Sequence, residues 1–294
     1  MQYGRSAWIA VVTQKRKYND ERMQYIGGKF VLSKYICPIL QKCIDENNIT
    51  TYLEPFVGGA NIIDKIKCKR RIGCDINRYL IALYKHLQNG GKIEESISRE
   101  QYHKVKESFK AKDKKYPDWL YANVGFMASY RSKFFGGYGA TNRREPHLDT
   151  DYVLSKRSIY RQIHMLADVE FYCYDFQETL SDAQNQSNWL VFCDPPYFNS
   201  NYKVQYNLPG FDFKALYETL NEMSRHHFVF VSEAIAELPK PIRSEVVFEK
   251  VMAHSFTRNN PKQDKPKKTE KLFRVYNQAT GYNDTKRKPT HETH

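Results

Sequence analysis

A short polar tetrapeptide directly follows an apolar run in the second half of the chain. Asp194-Pro195-Pro196-Tyr197 comes immediately after the apolar residues 189–193. A continuous apolar run is typical of a central parallel strand, so the tetrapeptide is predicted to lie at a strand's carboxyl end, where open α/β sheets bind ligands. The two prolines fix φ at successive positions and remove two amide donors. The result is a rigid array of one carboxylate, free carbonyl acceptors and one aromatic face.

This array suits a planar amine, such as the exocyclic NH₂ of a nucleobase. Asp194 and the Pro195 carbonyl could each accept one hydrogen, which favours a pyramidal nitrogen whose lone pair is free to attack. That interaction strengthens as positive charge develops on the nitrogen, so it stabilises the transition state more than the ground state. Tyr197 could stack on a base removed from the duplex. The alternative is a strand-end turn that contains these residues by chance.

Polar or glycine-rich groups also end the other predicted strands. Gly58 and Gly59 follow the first strand, and glycine lets the backbone approach a ligand closely. Their spacing is neither G-x-G-x-x-G nor a P-loop, and a plain βα turn is the alternative. Asp75 ends the second strand, where an acid can bind two ribose hydroxyls. Asp175 and Phe176 end the third and can offer an amide, a carboxylate and a ring to an adenine, or else are a surface acid and a core aromatic.

Short apolar strands alternate with helical patterns along most of the chain. Strands are predicted at 50–56, 71–75, 169–174, 189–193 and 228–231, with a further β-rich run at 272–276. Helices are predicted from Phe30 onward and over 79–87, 92–130, 151–166 and 213–225. This alternation indicates parallel crossover units and an open α/β sheet. The helical stretch at 95–165 interrupts it and is predicted to be an inserted domain.

Charge is distributed unevenly along the chain. The total is +13, from 46 Lys and Arg against 33 Asp and Glu. Residues 99–165 carry +7, whereas residues 166–249 carry −8. Because a basic surface suits a polyanionic partner, we expect the insert to bind one, while the acidic segment is not built for phosphate.

Composition and cysteine spacing exclude several classes of protein. Hydrophobic residues make up 41% and charged residues 27%, which is typical of a globular chain. No apolar run approaches the ~18 residues of a membrane span, so we expect an intracellular protein without a membrane partner. The six cysteines form no C-x-x-C pair, so neither a metal site nor a disulfide framework is expected.

Taken in order, the motifs resemble those of the Dam-type (class alpha) DNA adenine-N6 methyltransferase family. The family's W/Y-x-G-G-K motif is similar to Tyr25–Lys29, and its late K-x-x-E-L-L segment to Lys268–Leu272. The cofactor loop E-P-F-x-G-x-G is similar to Glu54–Ala60, with Ala60 where many relatives have glycine. Alanine fits that turn unless φ must be positive. The D-x-N motif is similar to Asp75-Ile76-Asn77, and the catalytic motif to the tetrapeptide at 194–197.

The resemblance implies a Rossmann-like S-adenosylmethionine-dependent methyltransferase fold, with a mixed, mostly parallel sheet and an inserted, mainly helical target-recognition domain. It divides the chain into an N-terminal extension (1–24), a catalytic domain (25–94 and 166–277), the insert (95–165) and a polar tail (278–294) that we expect to be disordered. The cofactor S-adenosylmethionine would be bound by Tyr25, Lys29, Glu54, Phe56, Gly58, Gly59, Asp75, Asn77, Asp175, Phe176 and Asp194.

The resemblance also implies a substrate and a partner. The protein would flip an adenine out of double-stranded DNA and methylate its N6 by direct in-line transfer. The catalytic residues would be Asp194, Pro195, Pro196 and Tyr197. Contacts to DNA are expected from Arg131, Lys133, Arg143 and Arg144, for each of which a solvated surface charge is the alternative. We expect a monomer or weak dimer in the cytoplasm of a prokaryotic or phage-infected cell, associated with the nucleoid.

Two other functions stay open from the motifs alone. The protein could methylate another conjugated amine, such as cytosine N4, an RNA base or a protein amide. It could also be a DNA-binding protein that has lost catalysis, although the intact Asp194 and Asp75 argue against that. No cysteine follows the prolines, so methylation of a cytosine ring carbon through a thiolate is disfavoured.

Overall fold

The computed structural model describes residues 28–139, 151–184, 186–197, 210–240, 242–252 and 269–276. The strands are β1 Thr51–Glu54, β2 Arg70–Cys74, β3 Val169–Tyr172, β4 Trp189–Cys193, β5 Phe228–Glu233, β6 Ser244–Val251 and β7 Thr269–Val275. The α-helices are α1 Phe30–Glu46, α2 Arg78–Gln88, α3 Arg99–Ala111, α4 Asp118–Ala122, α5 Asp151–Met165, α6 Phe176–Gln184 and α7 Phe213–Met223. A π-helical turn at Asn123–Met127 and a 3₁₀ turn at Tyr130–Ser132 follow α4.

The seven strands form one sheet in the order β3-β2-β1-β4-β5-β7-β6. Neighbours from β3 to β5 pair in parallel, and β7 is antiparallel to both β5 and β6. Leu53 of β1 lies opposite Ile72 of β2 on one side and Val191 of β4 on the other. The strand order therefore reverses beside β1, which is the place where open α/β sheets bind ligands. The prediction of a mixed, mostly parallel, Rossmann-like sheet is confirmed.

Side chains of the central strands alternate between two buried clusters. Tyr52 and Phe192 face the cluster on the side of α1 and α2, whereas Leu53 and Val191 face the cluster on the side of α6 and α7. Both faces of the sheet are covered, and this is why the strands appear in the sequence as continuous apolar runs.

The predicted insert is helical, and its apolar side chains join the main core. Tyr102 of α3, Tyr121 of α4 and Ile159 of α5 belong to the same buried cluster as Leu40 of α1 and Leu80 of α2. A capping box begins α3, because Ser98 and Gln101 exchange hydrogen bonds between side chain and backbone. The helical prediction for this region is confirmed over α3 and α4, and its division from the catalytic domain stays a prediction.

Four features differ from the predicted elements. The helix predicted over 92–130 begins only at Arg99 and is interrupted between α3 and α4. Strand β3 ends at Tyr172, two residues early, and Phe176 begins helix α6 instead of ending a strand. The short helix α6 was not predicted, because polar residues at 177–178 and 181–182 separate the few residues of its buried face, which are Phe176, Thr179, Leu180 and Ala183. Strand β6 was missed because it lies at the sheet edge and carries charged side chains. In the part of the chain that the structure describes, no helix has the length and apolar character needed to cross a membrane.

The position of β1 leads to a stability prediction. Leu53 is 1% exposed at the centre of the sheet, so Leu53→Ala should lower the free energy of unfolding by about 3 kcal/mol through lost transfer energy and the cavity that remains. Val31→Ala, on the exposed side of α1, should change it by less than ~0.5 kcal/mol. Urea denaturation measures both, and a Leu53→Ala loss below about 1 kcal/mol would contradict this packing.

Candidate active site

The carboxyl ends of β2, β1 and β4 lie side by side, and a polar residue or a glycine-containing turn follows each of them. Asp75 follows β2, the turn at 55–60 follows β1, and Asp194 follows β4. Residues that are far apart in sequence thus meet at one edge of the sheet.

Asp75 is held in place by two backbone amides. Its Oδ2 accepts a hydrogen bond from the Gly58 amide at 3.0 Å, and its Oδ1 accepts one from the Asn77 amide at 2.9 Å. The Asn77 side chain caps α2 by accepting the Leu80 amide at 3.3 Å. Burial raises the pKa of Asp75, and the two amide bonds oppose that rise. A carboxylate has about four acceptor positions, so Asp75 can bind further hydroxyl donors while it stays oriented.

The turn after β1 adopts a left-handed backbone at two positions. Gly58 has φ +45°, and Ala60 has φ +52°. The Tyr84 hydroxyl donates to the Gly58 carbonyl at 2.7 Å, and the Val57 amide donates to the Cys74 carbonyl at 2.8 Å. Position 60 therefore does require a positive φ, which costs an alanine about 1–2 kcal/mol where glycine would be unstrained.

Three phenylalanines form an aromatic group beside this turn. The ring centroids of Phe56 and Phe176 are 5.9 Å apart, and Phe211 lies 5.7 Å from the first and 5.3 Å from the second. Sequence reasoning named the first two but missed Phe211, which precedes α7 and follows no recognised motif. Asp175 caps α6, because its Oδ1 accepts the Glu178 amide at 2.8 Å and its own amide donates to Glu178 Oε2 at 3.2 Å.

Asp194 is paired with a lysine near the N-terminal end of the described residues. Lys29 Nζ lies 2.5 Å from Asp194 Oδ1, and the two side chains are 6% and 20% exposed. The same ammonium lies 4.7 Å from the centroid of the Tyr197 ring. Because Pro195 and Pro196 separate Asp194 from Tyr197, the lysine contacts both ends of the rigid tetrapeptide. Lys29 was predicted to bind cofactor, and its contact with Asp194 was not foreseen.

The Tyr197 hydroxyl donates a hydrogen bond to Glu270 Oε2 on β7. Burial raises the pKa of Tyr197, and the nearby charges of Asp194 and Glu270 raise it further, so the phenol stays neutral. Glu270 is 7% exposed. The K-x-x-E-L-L resemblance contained this glutamate, but nothing in the pattern indicated that it contacts the tetrapeptide.

Glu54 is buried at the carboxyl end of β1, the edge of the sheet at which the site lies. It is the last residue of β1, is 3% exposed, and accepts the Tyr52 hydroxyl at 2.7 Å. Burial raises the pKa of Glu54 well above its usual value, although the bond from Tyr52 opposes the rise. Gly59 is also buried in the turn, whereas Ile76 beside Asp75 is 56% exposed and offers an apolar surface that was not predicted.

The basic residues predicted to contact DNA fall into two groups. Arg131 and Lys133 are exposed, and the Arg131 guanidinium lies 5.3 Å from the ring of Tyr130, itself 59% exposed. Arg143 and Arg144 lie outside the described residues, as does Tyr25, and so do the extension at 1–24 and the tail at 278–294. Among the residues described, no group of three or more His, Cys, Asp and Glu side chains could hold a metal ion.

The contact between Tyr197 and Glu270 predicts a coupled pair. Tyr197→Phe should lower the free energy of unfolding by about 1–2 kcal/mol, because a buried carboxyl loses its donor. Glu270→Gln should lower the free energy of unfolding less in the Tyr197→Phe variant than in the native protein. A double-mutant cycle by urea denaturation measures the difference. Tyr174→Phe is the matched control, since this tyrosine is 39% exposed and should lose less than ~0.5 kcal/mol. Strictly additive effects of the pair would contradict the contact.

Comparison with known proteins identifies the family. The model of the D12 class N6 adenine-specific DNA methyltransferases matches residues 25–260. The type II methyltransferase M.FokI of Planomicrobium okeanokoites is 29% identical over 61% of this chain and 29% of its own length. The modification methylase StsI of Streptococcus sanguinis is 29% identical over 63% of this chain and 30% of its own length. A DNA adenine methylase of Vibrio cholerae is 24% identical over 60% of this chain and 64% of its own length.

The alignments thus span less than a third of M.FokI and StsI and just under two thirds of the Vibrio enzyme. The family match is broader, because it covers most of the chain and includes Lys29, Asp75 and the Asp194–Tyr197 tetrapeptide. The resemblance to Dam-type enzymes is confirmed: the chain belongs to the D12 class N6 adenine-specific DNA methyltransferase family.

Proposed function

We propose that this protein transfers a methyl group from S-adenosylmethionine to the N6 amino group of an adenine flipped out of double-stranded DNA. The observation that carries the proposal is that an amide-oriented carboxylate at Asp75 and the Asp194-Pro195-Pro196-Tyr197 array follow β2 and β4, the two parallel neighbours of β1, at the same edge of the sheet. The first arrangement suits a ribose, and the second suits an aromatic amine.

The residues at the strand ends fit S-adenosylmethionine. Asp75 has acceptor capacity left for the ribose hydroxyls, and the exposed Ile76 next to it offers an apolar surface. The rings of Phe56 and Phe176 lie 5.9 Å apart, and Phe176 directly follows Asp175. When bound there, the cofactor supplies an electrophilic methyl group on a sulfonium sulfur. The other predicted contacts, from Tyr25, Lys29, Glu54, Gly58, Gly59, Asn77 and Asp194, are part of the proposal.

The tetrapeptide would prepare the amine for attack. Asp194 accepts one hydrogen of the adenine amino group and the Pro195 carbonyl accepts the other, while the Tyr197 ring stacks on the base. The carboxylate stabilises the positive charge that develops on the nitrogen, and it acts in a partly buried setting where such an interaction is strong. Because Lys29 Nζ already lies on Asp194 Oδ1, the amine must share that carboxylate with the ammonium or displace it.

A covalent route through cysteine does not suit this site. Cys193 immediately precedes Asp194 but is fully buried, and burial raises its thiol pKa, so the thiol stays protonated. This supports direct transfer to an amine and not attack on a pyrimidine carbon.

The basic insert would bind the DNA backbone. Residues 99–165 carry +7, and Arg131 and Lys133 are exposed in the loop that also presents Tyr130. Exposed cations of this kind suit phosphates, and an exposed ring suits stacking against a base. Arg143 and Arg144 are proposed to extend the same surface. We further propose that the protein acts as a monomer or weak dimer on DNA in the cytoplasm of a prokaryotic or phage-infected cell.

The central test replaces Asp194 and identifies the product. Native protein, given labelled S-adenosylmethionine and DNA from a host without adenine methylation, should yield N6-methyladenine on nucleoside mass spectrometry. Asp194→Ala should lower kcat by about 10²–10³-fold or more, and Asp194→Asn, which keeps one acceptor oxygen, should lower it less. DNA affinity of both variants, measured by fluorescence anisotropy, should stay close to that of the native protein. N4-methylcytosine as product, or full activity of Asp194→Ala, would refute the proposal.

The insert is tested by the salt dependence of DNA binding. Arg131→Ala and Lys133→Ala should each reduce the slope of log K against log salt concentration by about one, since each removes one phosphate contact. Arg225→Ala is the control, because this arginine is exposed beside Glu222 at the end of α7 in the acidic segment and should leave the slope unchanged. Equal slopes for all three variants would exclude this loop from the interface.

A further inference from the structure

Side chains from two different helices hold the carbonyl groups of the turn at 57–60. From α2, the Tyr84 hydroxyl donates to the Gly58 carbonyl at 2.7 Å. From α5, Gln162 Nε2 donates to the Gly59 carbonyl at 2.9 Å and lies 3.1 Å from the Ala60 carbonyl. Successive carbonyls of the turn are thus directed toward the protein interior by side chains that lie more than twenty residues away in the sequence.

Gln162 is buried, and its amide nitrogen has a third acceptor besides the two carbonyls of the turn. It is 1% exposed, and its Nε2 also lies 3.2 Å from Asp64 Oδ2. Asp64 is in turn fixed by Lys65, whose Nζ lies 2.7 Å from Asp64 Oδ1. One amide nitrogen therefore shares its two hydrogens among three buried acceptors. An apolar side chain of the same size would remove all three contacts, and the Ala60 carbonyl would keep only the long bond from the Asp64 amide at 3.4 Å.

The turn depends on such support because its backbone is strained. Ala60 has φ +52°, a left-handed conformation that an L-residue adopts only when its surroundings hold it there. Gly58 is left-handed as well, and it is the Gly58 amide that orients Asp75. If the carbonyls of Gly59 and Ala60 were released, the turn could relax and the Gly58 amide would move with it.

We propose that Gln162 is a positioning residue for the cofactor: by holding the Gly59 and Ala60 carbonyls from α5, it keeps the turn in the conformation that orients Asp75 for S-adenosylmethionine. The inference rests on the proposed function, since it assigns a cofactor to this turn. Helix α5 lies in the segment predicted to be the DNA-recognition insert. Through Gln162, this helix would therefore help to hold the cofactor site in its binding conformation.

The chain contains a matched control. Gln88 Nε2 also bridges two carbonyls, those of Leu166 at 2.7 Å and Val169 at 2.8 Å, just beyond α5. Like Gln162, it bridges two backbone carbonyls through its amide nitrogen. Among the described residues, it makes no hydrogen bond to the turn at 57–60. Gln162→Met and Gln88→Met each remove such a bridge while keeping side-chain length. Gln88 is half-buried and contacts two acceptors where Gln162 contacts three, so the stability of each variant is measured beside its affinity.

The experiment measures the Kd for S-adenosylmethionine by isothermal titration calorimetry, with urea midpoints recorded for each variant. Gln162→Met should raise the Kd about tenfold and raise the KM for S-adenosylmethionine in parallel, with kcat at saturating cofactor within about threefold. Gln88→Met should leave the Kd within about twofold. If Gln162→Met does not fold, Gln162→Asn, whose shorter side chain withdraws the amide from both carbonyls, is measured with the same expectation.

The outcomes separate this inference from the function on which it rests. Failure of the native protein to bind S-adenosylmethionine would overturn the proposed function and this inference with it. Native binding together with an unchanged Kd for the Gln162 variant would overturn the positioning role alone. An equal loss of affinity in Gln88→Met would also overturn it, because the effect would then be one of general stability.

Discussion

The site depends on β1 having parallel partners on both sides. Because β2 and β4 both run in the same direction as β1, the residues that follow all three strands emerge at one edge of the sheet. Reversing either neighbour would move Asp75 or Asp194 to the opposite edge. The rest of the structure keeps this arrangement in place: two buried clusters cover the faces of the sheet, and the backbone amide of Gly58 connects the turn after β1 to Asp75.

Two carboxylates at this edge are stabilised in different ways, and the difference matches the chemistry proposed for each. Asp75 is oriented by neutral backbone amides, which fix its geometry without bringing a positive charge to it. Asp194 is instead paired with the Lys29 ammonium, which shows that this carboxylate can hold a positively charged nitrogen and also that the substrate amine must share it with the lysine or displace it. The acidic charge of residues 166–249 is consistent with both roles, because the proposed ligands there are a sulfonium and an amine that becomes cationic. The DNA phosphates would instead contact the basic segment at 99–165.

Much of the fold and part of the site could be predicted from the sequence, because they depend on local pattern. The apolar runs predicted β1, β2 and β4, and the polar residues after them predicted where the site would be. Contacts between distant segments left no such signal. The pairing of Lys29 with Asp194 joins residues 165 positions apart, and neither the bond from Tyr197 to Glu270 nor the bonds from Gln162 to the turn follow from any periodicity. The edge strand β6 was missed for a different reason: its apolar residues Val246, Val247 and Phe248 are consecutive at a register irregularity, and charged residues flank them, so no regular alternation is visible.

The predicted insert and the turn at 57–60 are in direct contact. Its helices share a buried cluster with α1 and α2, and Gln162 of α5 bonds directly to carbonyls of the turn. If the insert binds DNA and the turn binds cofactor, any DNA-induced shift of α5 must change the free energy of the turn. Linkage then requires that cofactor binding change DNA affinity by the same factor. Both ligands would also meet directly at Asp194, so the mutual effect is the sum of that direct coupling and the coupling through α5, and Gln162→Met removes only the second part.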